Sequence, residues 1–546
     1  MSSTWSNPMK NKNSVIAYWT LLSVVALVGL AAIALRVFQG MSVTNLTSLI
    51  PWGLWVAFYI YFIGLSAGSF LISTMIYVFD IKRFEPIGRI ALFSAFVALS
   101  AGLVFILLDL GHMERFWTVF INRSSTSVLE WEIHFYNLYL AILLSELWLL
   151  MRRDLIRRSA QPGLVGLVCR LLTFGSKDLS DESAANDMRM VKILGMLGVP
   201  VAIGVHGGTG AIFAVVKARP YWYTGLFPLI FIVSALASGG ALLTFLYAYF
   251  GHKDEQHTSL VVALGKMVGG FLALDLVFMG SELLVGFYGG IPDHVAVYRA
   301  MMFGPFWYVF WVGQLLVGAL IPLTLIFNKY TGKISGWVGA ASALIVLGIV
   351  GVRLNIVIPP FTVPLMPGVD TAYPLARFAA FEFKDWYLAA FTVAIVVFLL
   401  AAGLLIRHLS QLPTRPVERW LARAAGLVVM LGFLMMGLRF LGVGTPVTAS
   451  IMGVPAKLPL FFGGVLRAND PSFYSPSALE WLSSMGVIAL AVMGFSLGWL
   501  LLPLQEEHPS EPSTTPPSPF HFKSSYKSGY KSGNGEMGTQ ANGESL

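Results

Sequence analysis

The chain is short of cysteine, charge and histidine, and each scarcity removes a class of chemistry. Of its 546 residues only one, Cys169, is a cysteine. One thiol cannot close an intrachain disulfide, build a zinc–thiolate site or ligate an iron–sulfur cluster. Charged residues are 12% and hydrophobic residues 56% of the chain, whereas a soluble chain carries roughly 25% charge. So much apolar surface cannot be hidden in one core, and lipid must solvate it. Of nine histidines, only His206 lies well inside an apolar run. A bis-histidine haem needs two that face each other within the membrane. The expectation is therefore a chain with no haem, cluster or metal of its own. Electrons would reach it from a partner's cofactor or from a diffusible carrier.

What is present is a series of apolar runs of the length that crosses a bilayer, about 20 residues each. They fall near 15–37, 51–79, 87–109, 128–151, 190–216, 225–250, 260–287, 304–327, 335–358, 386–406, 421–441 and 478–502. The fold class is thus an all-α integral membrane protein of about twelve transmembrane helices. The first run lacks a small-residue cleavage site behind a short core and reads as a retained helix. The net charge of +8 is dispersed as basic clusters between runs, which is a topology signal and not a nucleic-acid face. Lys82, Arg83 and Arg89, then Arg152, Arg153, Arg157 and Arg158, then Lys329 and Lys333, follow even-numbered spans. The other loops are richer in Trp, Tyr, Phe and Pro. Positive loops stay inside, so both termini are expected in the cytoplasm of a prokaryotic cell, with the chain in its inner membrane.

Two parts of the sequence echo each other. FYIYFIGLSAGSFLIS (58–73) matches PLIFIVSALASGGALLT (228–244) in its order of aromatic, aliphatic and small residues, and GLVFILLDLGHME (102–114) matches GFLALDLVFMGSE (270–282). The second match sets Glu114 opposite Glu282. Two related four-helix bundles follow, from spans 2–5 and 6–9. The expected organisation is a first helix and loop (1–50), a first unit (51–221), a second unit with its outer loop (222–385), further helices (386–505) and a disordered cytoplasmic tail (506–546). The tail is rich in Ser, Gly, Pro and Lys and cannot bury enough apolar surface to fold.

Ionisable residues inside spans are costly and are functional candidates by default. Asp109 ends the third span, followed by His112 and Glu114. Glu130, Glu132 and His134 open the fourth. His206 lies in the small-residue stretch HGGTG, Asp275 and Glu282 lie in the seventh span and Arg353 in the ninth. Nearly all fall in the outer half; Glu146 and Lys266 are near enough to the other side to snorkel. Asp109, Glu114, Glu130 and Arg353 can equally be structural ion pairs, and His134 an interface anchor. Trp52, Trp55, Tyr221 and Trp222 read as an interfacial belt or as ligand contacts. A quinone is the natural lipid-soluble carrier, because its reduction takes two electrons and two protons and needs donors such as an imidazole and a carboxylate.

PWGLWVAFYIYFIGLSAGSFL (51–71), LDLGHMERFW (108–117), HGGTGAIFAVVKARPYWYTGLFPLIFIVSALASGG (206–240) and FYSPSALEW (473–481) resemble the polysulfide reductase membrane-subunit family, NrfD/PsrC. The resemblance spans roughly the second to ninth helices. It implies a subunit of a respiratory electron-transport complex that binds menaquinone or ubiquinone near the outer face. It also implies a docked four-cluster ferredoxin-like iron–sulfur subunit and, beyond that, a catalytic oxidoreductase subunit. Carried onto this chain, it implies a quinone role for His206, with Asp109 and either Glu130 or Glu132. His112, His134, Trp52 and Trp222 are further candidate contacts, and Asp275, Glu282, Glu114 and Arg353 a candidate proton pathway. Familiar members have eight or ten spans, not twelve. A secondary transporter with internal repeats, its helix unwound over GVPVAIGVHGGTG (198–210), and a purely structural anchor are the competing readings.

Overall fold

A computed structural model describes residues 12–47, 50–304, 306–363, 448–451, 454–457, 474 and 476–505. Among them, ten helices are long and apolar enough to cross a membrane. They are α1 (Lys12–Gln39), α2 (Leu54–Tyr77), α3 (Glu85–Asp109), α4 (Val128–Arg158), α6 (Asp181–Ala214), α7 (Phe227–Phe250), α8 (His257–Gly289), α10 (Val309–Phe327), α11 (Ser335–Val357) and α12 (Ala478–Leu501). Two shorter helices, α5 (Leu164–Leu172) and α9 (Pro292–Met302), lie in connections. One small ribbon pairs β1 (Thr448–Ile451) antiparallel to β2 (Val454–Lys457). The expected spans at 386–406 and 421–441 lie outside the described residues.

The chain marks its own helix starts. Ser127 caps α4 by accepting the Glu130 amide, and Ser180 caps α6 by accepting the Ser183 amide, with Asp181 and Glu182 in the first turn. Ser477 and Glu480 form a reciprocal capping box on α12. Such caps satisfy backbone donors that a helix start leaves open. Two expected boundaries shift. The fifth span begins at Asp181, nine residues before the apolar run, because a capped polar start extends the helix. The eighth begins at Val309, because α9 takes up Pro292–Met302 separately. The break over 198–210 that the competing transporter reading would use is absent: α6 runs unbroken through Pro200. Irregular winding appears instead in α10, where Val309–Leu320 is π-helical.

Helix ends define two faces. At one, Arg36 of α1 donates to the Leu108 carbonyl of α3, Asn45 donates to Glu480 of α12, and Trp52 meets Phe361 after α11. This is the aromatic face. The other carries the basic loops, tied by Arg89 to Asp154 at 2.6 Å and Arg152 to Asp187 at 2.7 Å; we call it the basic face.

Among the described spans α2 is the most enclosed, and it crosses α7 at glycines in the two small-residue segments. A methyl group on Gly68 would sit 1.8 Å from the Ala235 carbonyl oxygen, and one on Gly239 would sit 2.4 Å from the Ser69 amide nitrogen. Backbones this close are the membrane route to tight packing, since small residues replace a hydrophobic drive between helices. Gly29 of α1 and Gly486 of α12, and Gly318 of α10 and Gly348 of α11, meet in the same way. Gly68→Ala is expected to lower thermal stability in detergent by about 1–3 kcal/mol, the cost of overpacking. An unchanged melting midpoint would contradict this crossing.

Candidate functional site

His206 and Arg353 stand at the α2–α7 seam. His206, on α6, is 1% exposed, and neither ring nitrogen has a hydrogen-bond partner among the described residues. Its ring lies 5.3 Å from that of Phe231 on α7. Arg353, on α11, is fully buried: Nη2 donates to Ser234 Oγ at 3.1 Å and the guanidinium stands 4.9 Å over the same Phe231 ring. A Cβ on Gly64 would lie 3.1 Å from His206 Cε1 and 3.3 Å from Arg353 Nη2, so one missing side chain on α2 makes room for both. Asp275, on α8, lies within electrostatic reach of Arg353 without an ion-pair contact, and its Oδ1 also lacks a partner among the described residues.

One turn from His206 along α6, Thr209 reaches a second group. Glu132, on α4, is 3% exposed and receives hydroxyls from three helices. Tyr59 of α2 donates at 3.0 Å and Tyr136 of α4 at 2.7 Å, and the Thr209 hydroxyl also meets it. Glu130 faces elsewhere: Arg123 Nε lies 2.9 Å from it and the Ser124 amide donates to it. The His134 Nδ1 sits 2.9 Å from the Glu130 carbonyl, with Phe120 alongside. The pair in LEWE is thus divided, with Glu132 inside the bundle and Glu130 closing the loop that precedes α4.

Trp52 and Trp222 come together, 5.8 Å between ring centroids, with Phe213 and Phe361 completing a buried aromatic cluster. Trp222 is 1% exposed and donates its indole N–H to the Ile356 carbonyl, so it is a packed interior residue. Phe213 contacts Phe231, which contacts His206, so aromatic rings run unbroken from the aromatic face to the imidazole. Arg219 closes the outer end, donating to the Pro360 and Val363 carbonyls over the Phe361 ring. Burial lowers its pKa, with the Asp293 charge opposing. A shallow recess lined by Arg219, Tyr221, Asp293 and Val297 opens beside it.

The remaining candidates lie apart. Asp109 belongs to a cluster of α1, α3 and α12: Arg36 donates to the carbonyls on either side of it, while Glu480 accepts from Tyr474 and from the Asn45 and Ser477 amides. Glu282 is 3.9 Å from His294 of α9. His112 and Glu114 form an exposed pair at 2.9 Å. The Glu114 carboxyl is held below its ordinary range by its own backbone N–H and then by His112.

Sequence reasoning did not select Tyr59, Tyr136, Thr209, Arg36 or Glu480. Tyr136 lies four residues after Glu132, which marks a shared helix face, and Glu480 lies in the FYSPSALEW segment. Glu146 corrects an expectation: it is 1% exposed and does not snorkel, because α4 continues to Arg158 and holds it inside.

These features define a class: a polytopic α-helical membrane protein whose ionisable side chains gather along a seam of small residues toward one face. The chain belongs to the polysulphide reductase NrfD family, whose profile matches residues 42–364. It is 43% identical to a selenate reductase subunit of Mesobacillus selenatarsenatis over 392 residues, 70% of this chain and 91% of that one. The Hdr-like menaquinol oxidoreductase integral membrane subunit of Archaeoglobus fulgidus is 28% identical over 75% of this chain and 97% of its own. The menaquinone reductase integral membrane subunit of Nitratidesulfovibrio vulgaris is 22% identical over 60% of this chain and 77% of its own.

Proposed function

We propose that the chain is the quinone-reactive membrane subunit of a multi-subunit oxidoreductase. It exchanges electrons between the quinone pool and a four-cluster ferredoxin-like iron–sulfur subunit, which in turn serves a catalytic subunit. The observation that carries this reading is His206, a buried imidazole with both nitrogens unpartnered among the described residues, at the end of a column of aromatic rings. A quinone head is a flat apolar ring with two carbonyl oxygens. His206 would present a donor to one of them, the hydroxyls of Tyr59 and Tyr136 stand on the adjoining group, and Phe231 and Phe213 would wall the ring. When bound, the quinone supplies two-electron, two-proton redox chemistry. The chain's own residues bind and orient it, exclude water, and hold protons at His206 and Glu132.

The names of the relatives, a selenate reductase subunit and a menaquinol oxidoreductase subunit, support the redox assignment, and the single cysteine assigns the clusters to a partner. By the positive-inside rule the basic face is cytoplasmic. Arg353, Asp275 and Glu282, seven residues further along α8, would form a separate path that carries translocated protons toward the outer side. Glu114 stands exposed on that side, and the Asp109 cluster buttresses the first helix against α3.

Gentle purification from native membranes tests this reading, with the co-purifying chains identified by mass spectrometry and bound quinone by extraction. A cysteine-rich ferredoxin-like partner and a quinone are expected. A chain that arrives alone, without iron or quinone, would overturn it.

A further inference from the structure

Helix α4 carries polar groups on one face that continue well past the candidate site, with buried Leu143 between the last two. Glu132, Tyr136, Tyr139 and Glu146 are spaced by four, three and seven residues, which places them on one helix face. All four are buried. They run from the candidate site toward the basic face over about 21 Å, at the helical rise of 1.5 Å per residue.

Each member except the last is connected. The Tyr136 hydroxyl bridges Glu132 and Tyr59. Tyr139 donates to the Ser66 carbonyl at 3.1 Å, and its oxygen lies 3.1 Å from Ser66 Oγ, which donates to the Ala95 carbonyl. Glu146 is different. It is 1% exposed, and its Oε1 has no hydrogen-bond partner among the described residues. The helices beside it bring no countercharge among those residues: a Cβ on Gly195 of α6 would meet Val78, Glu146 Oε1 at 3.6 Å and Thr74. Six residues further on, Arg152 is held at the basic face by Asp187, Ser176 and Ser183.

A buried carboxyl left without a partner is costly, and a structural role would have supplied it with one. A Cβ on Gly195 would meet Val78 at 2.7 Å, so the glycine lets α6 pass close to the carboxyl, and a buried polar group without a protein partner is where water enters a protein interior. We propose that Glu146 is the proton-transferring carboxyl of a route that links the Glu132 site to the basic face through water, Tyr139, Ser66 and Tyr136. The inference rests on the quinone reading and extends it. For each quinone converted to quinol, two electrons come from the iron–sulfur partner and two protons enter from the basic side. A Glu146 O–H bond breaks as a proton moves inward, and a new one forms to a proton from that face. In quinol oxidation the same steps run in reverse.

The test uses the intact complex in vesicles containing menaquinone, driven by reduced methyl viologen, with protein-free vesicles as background and a pH dye on each side. Glu146→Gln is expected to assemble, to bind menaquinone and to slow its reduction on the order of 100-fold, the scale of a lost proton-transferring group. Proton uptake on the basic side should fall equally, and azide should restore both in Glu146→Ala. Wild-type rate and sidedness in assembled Glu146→Gln would overturn the route while leaving the quinone reading intact. A wild-type complex that reduces no menaquinone would instead overturn that reading. If Glu146→Gln does not assemble, Glu146→Ala decides: rescue by azide supports the route, and a slow, assembled complex indifferent to azide overturns it.

Discussion

Replacing His206 with alanine is expected to lower quinone turnover by roughly 100-fold or more, while the protein still folds and still binds its partners. The size of the effect follows from general acid–base chemistry, where a positioned proton donor contributes about 10²–10⁴-fold. The integrity of the fold follows from the contacts. His206 makes no hydrogen bond among the described residues that alanine would break, and its neighbours are Gly64, Phe231 and the Arg353 guanidinium, none of which depends on the imidazole for a partner. The substitution leaves a small space beside Gly64 and no orphaned donor. His206→Gln, which retains one donor and one acceptor at similar reach, should recover part of the rate. Steady-state turnover of purified complex, normalised to bound partner, measures this. An assembled His206→Ala complex with normal turnover would remove His206 from the site and favour an anchoring role for the whole chain.

The membrane class, the order of the spans and the family were legible in the sequence because apolar run length and charge placement are local properties. The small-residue segments at 58–73 and 228–244 also marked places where helices can approach closely, and Gly68 meets Gly239 there. The side-chain assignments were less legible. Glu130 and Glu132 are two residues apart, so they point to nearly opposite sides of α4, and the four letters LEWE do not say which side is covered. The later tyrosines do, since Tyr136 and Tyr139 continue the face of Glu132 and not that of Glu130.

Other misreadings came from treating hydropathy as depth. Glu146 stands near the end of an apolar run but twelve residues before the end of α4, since 158 − 146 = 12. That is enough helix to keep it from water. The glycines and proline of 198–210 look like a break, yet they sit inside a continuous helix because α2 and α7 pack against it, and Gly207 and Gly210 face Ile232 and Pro228. Arg36 and Glu480 could not be placed near Asp109 from sequence at all. They come together only because the first and last described helices pack against each other, which no local pattern encodes.

Arg353→Met is expected to destabilise the protein by about 1–3 kcal/mol, the cost of removing a buried donor from Ser234. Asp275 adds to the cost. Its carboxylate is 8% exposed, Oδ1 has no hydrogen-bond partner among the described residues, and the Arg353 charge acts on it without an ion-pair contact. Methionine keeps much of the side-chain volume over Phe231 but removes that charge and the hydrogen bond to Ser234. Pairing Arg353→Met with Asp275→Asn should return part of the lost stability, because no uncompensated charge remains. Thermal unfolding of the single and double variants in one detergent measures the coupling between the two residues. Turnover then separates two roles. If the pair only ties α8 to α11, the double variant should regain rate along with stability. If it carries protons toward the aromatic face, the double variant should be stable and slow. A single variant as stable as wild type would show that Asp275 does not depend on Arg353.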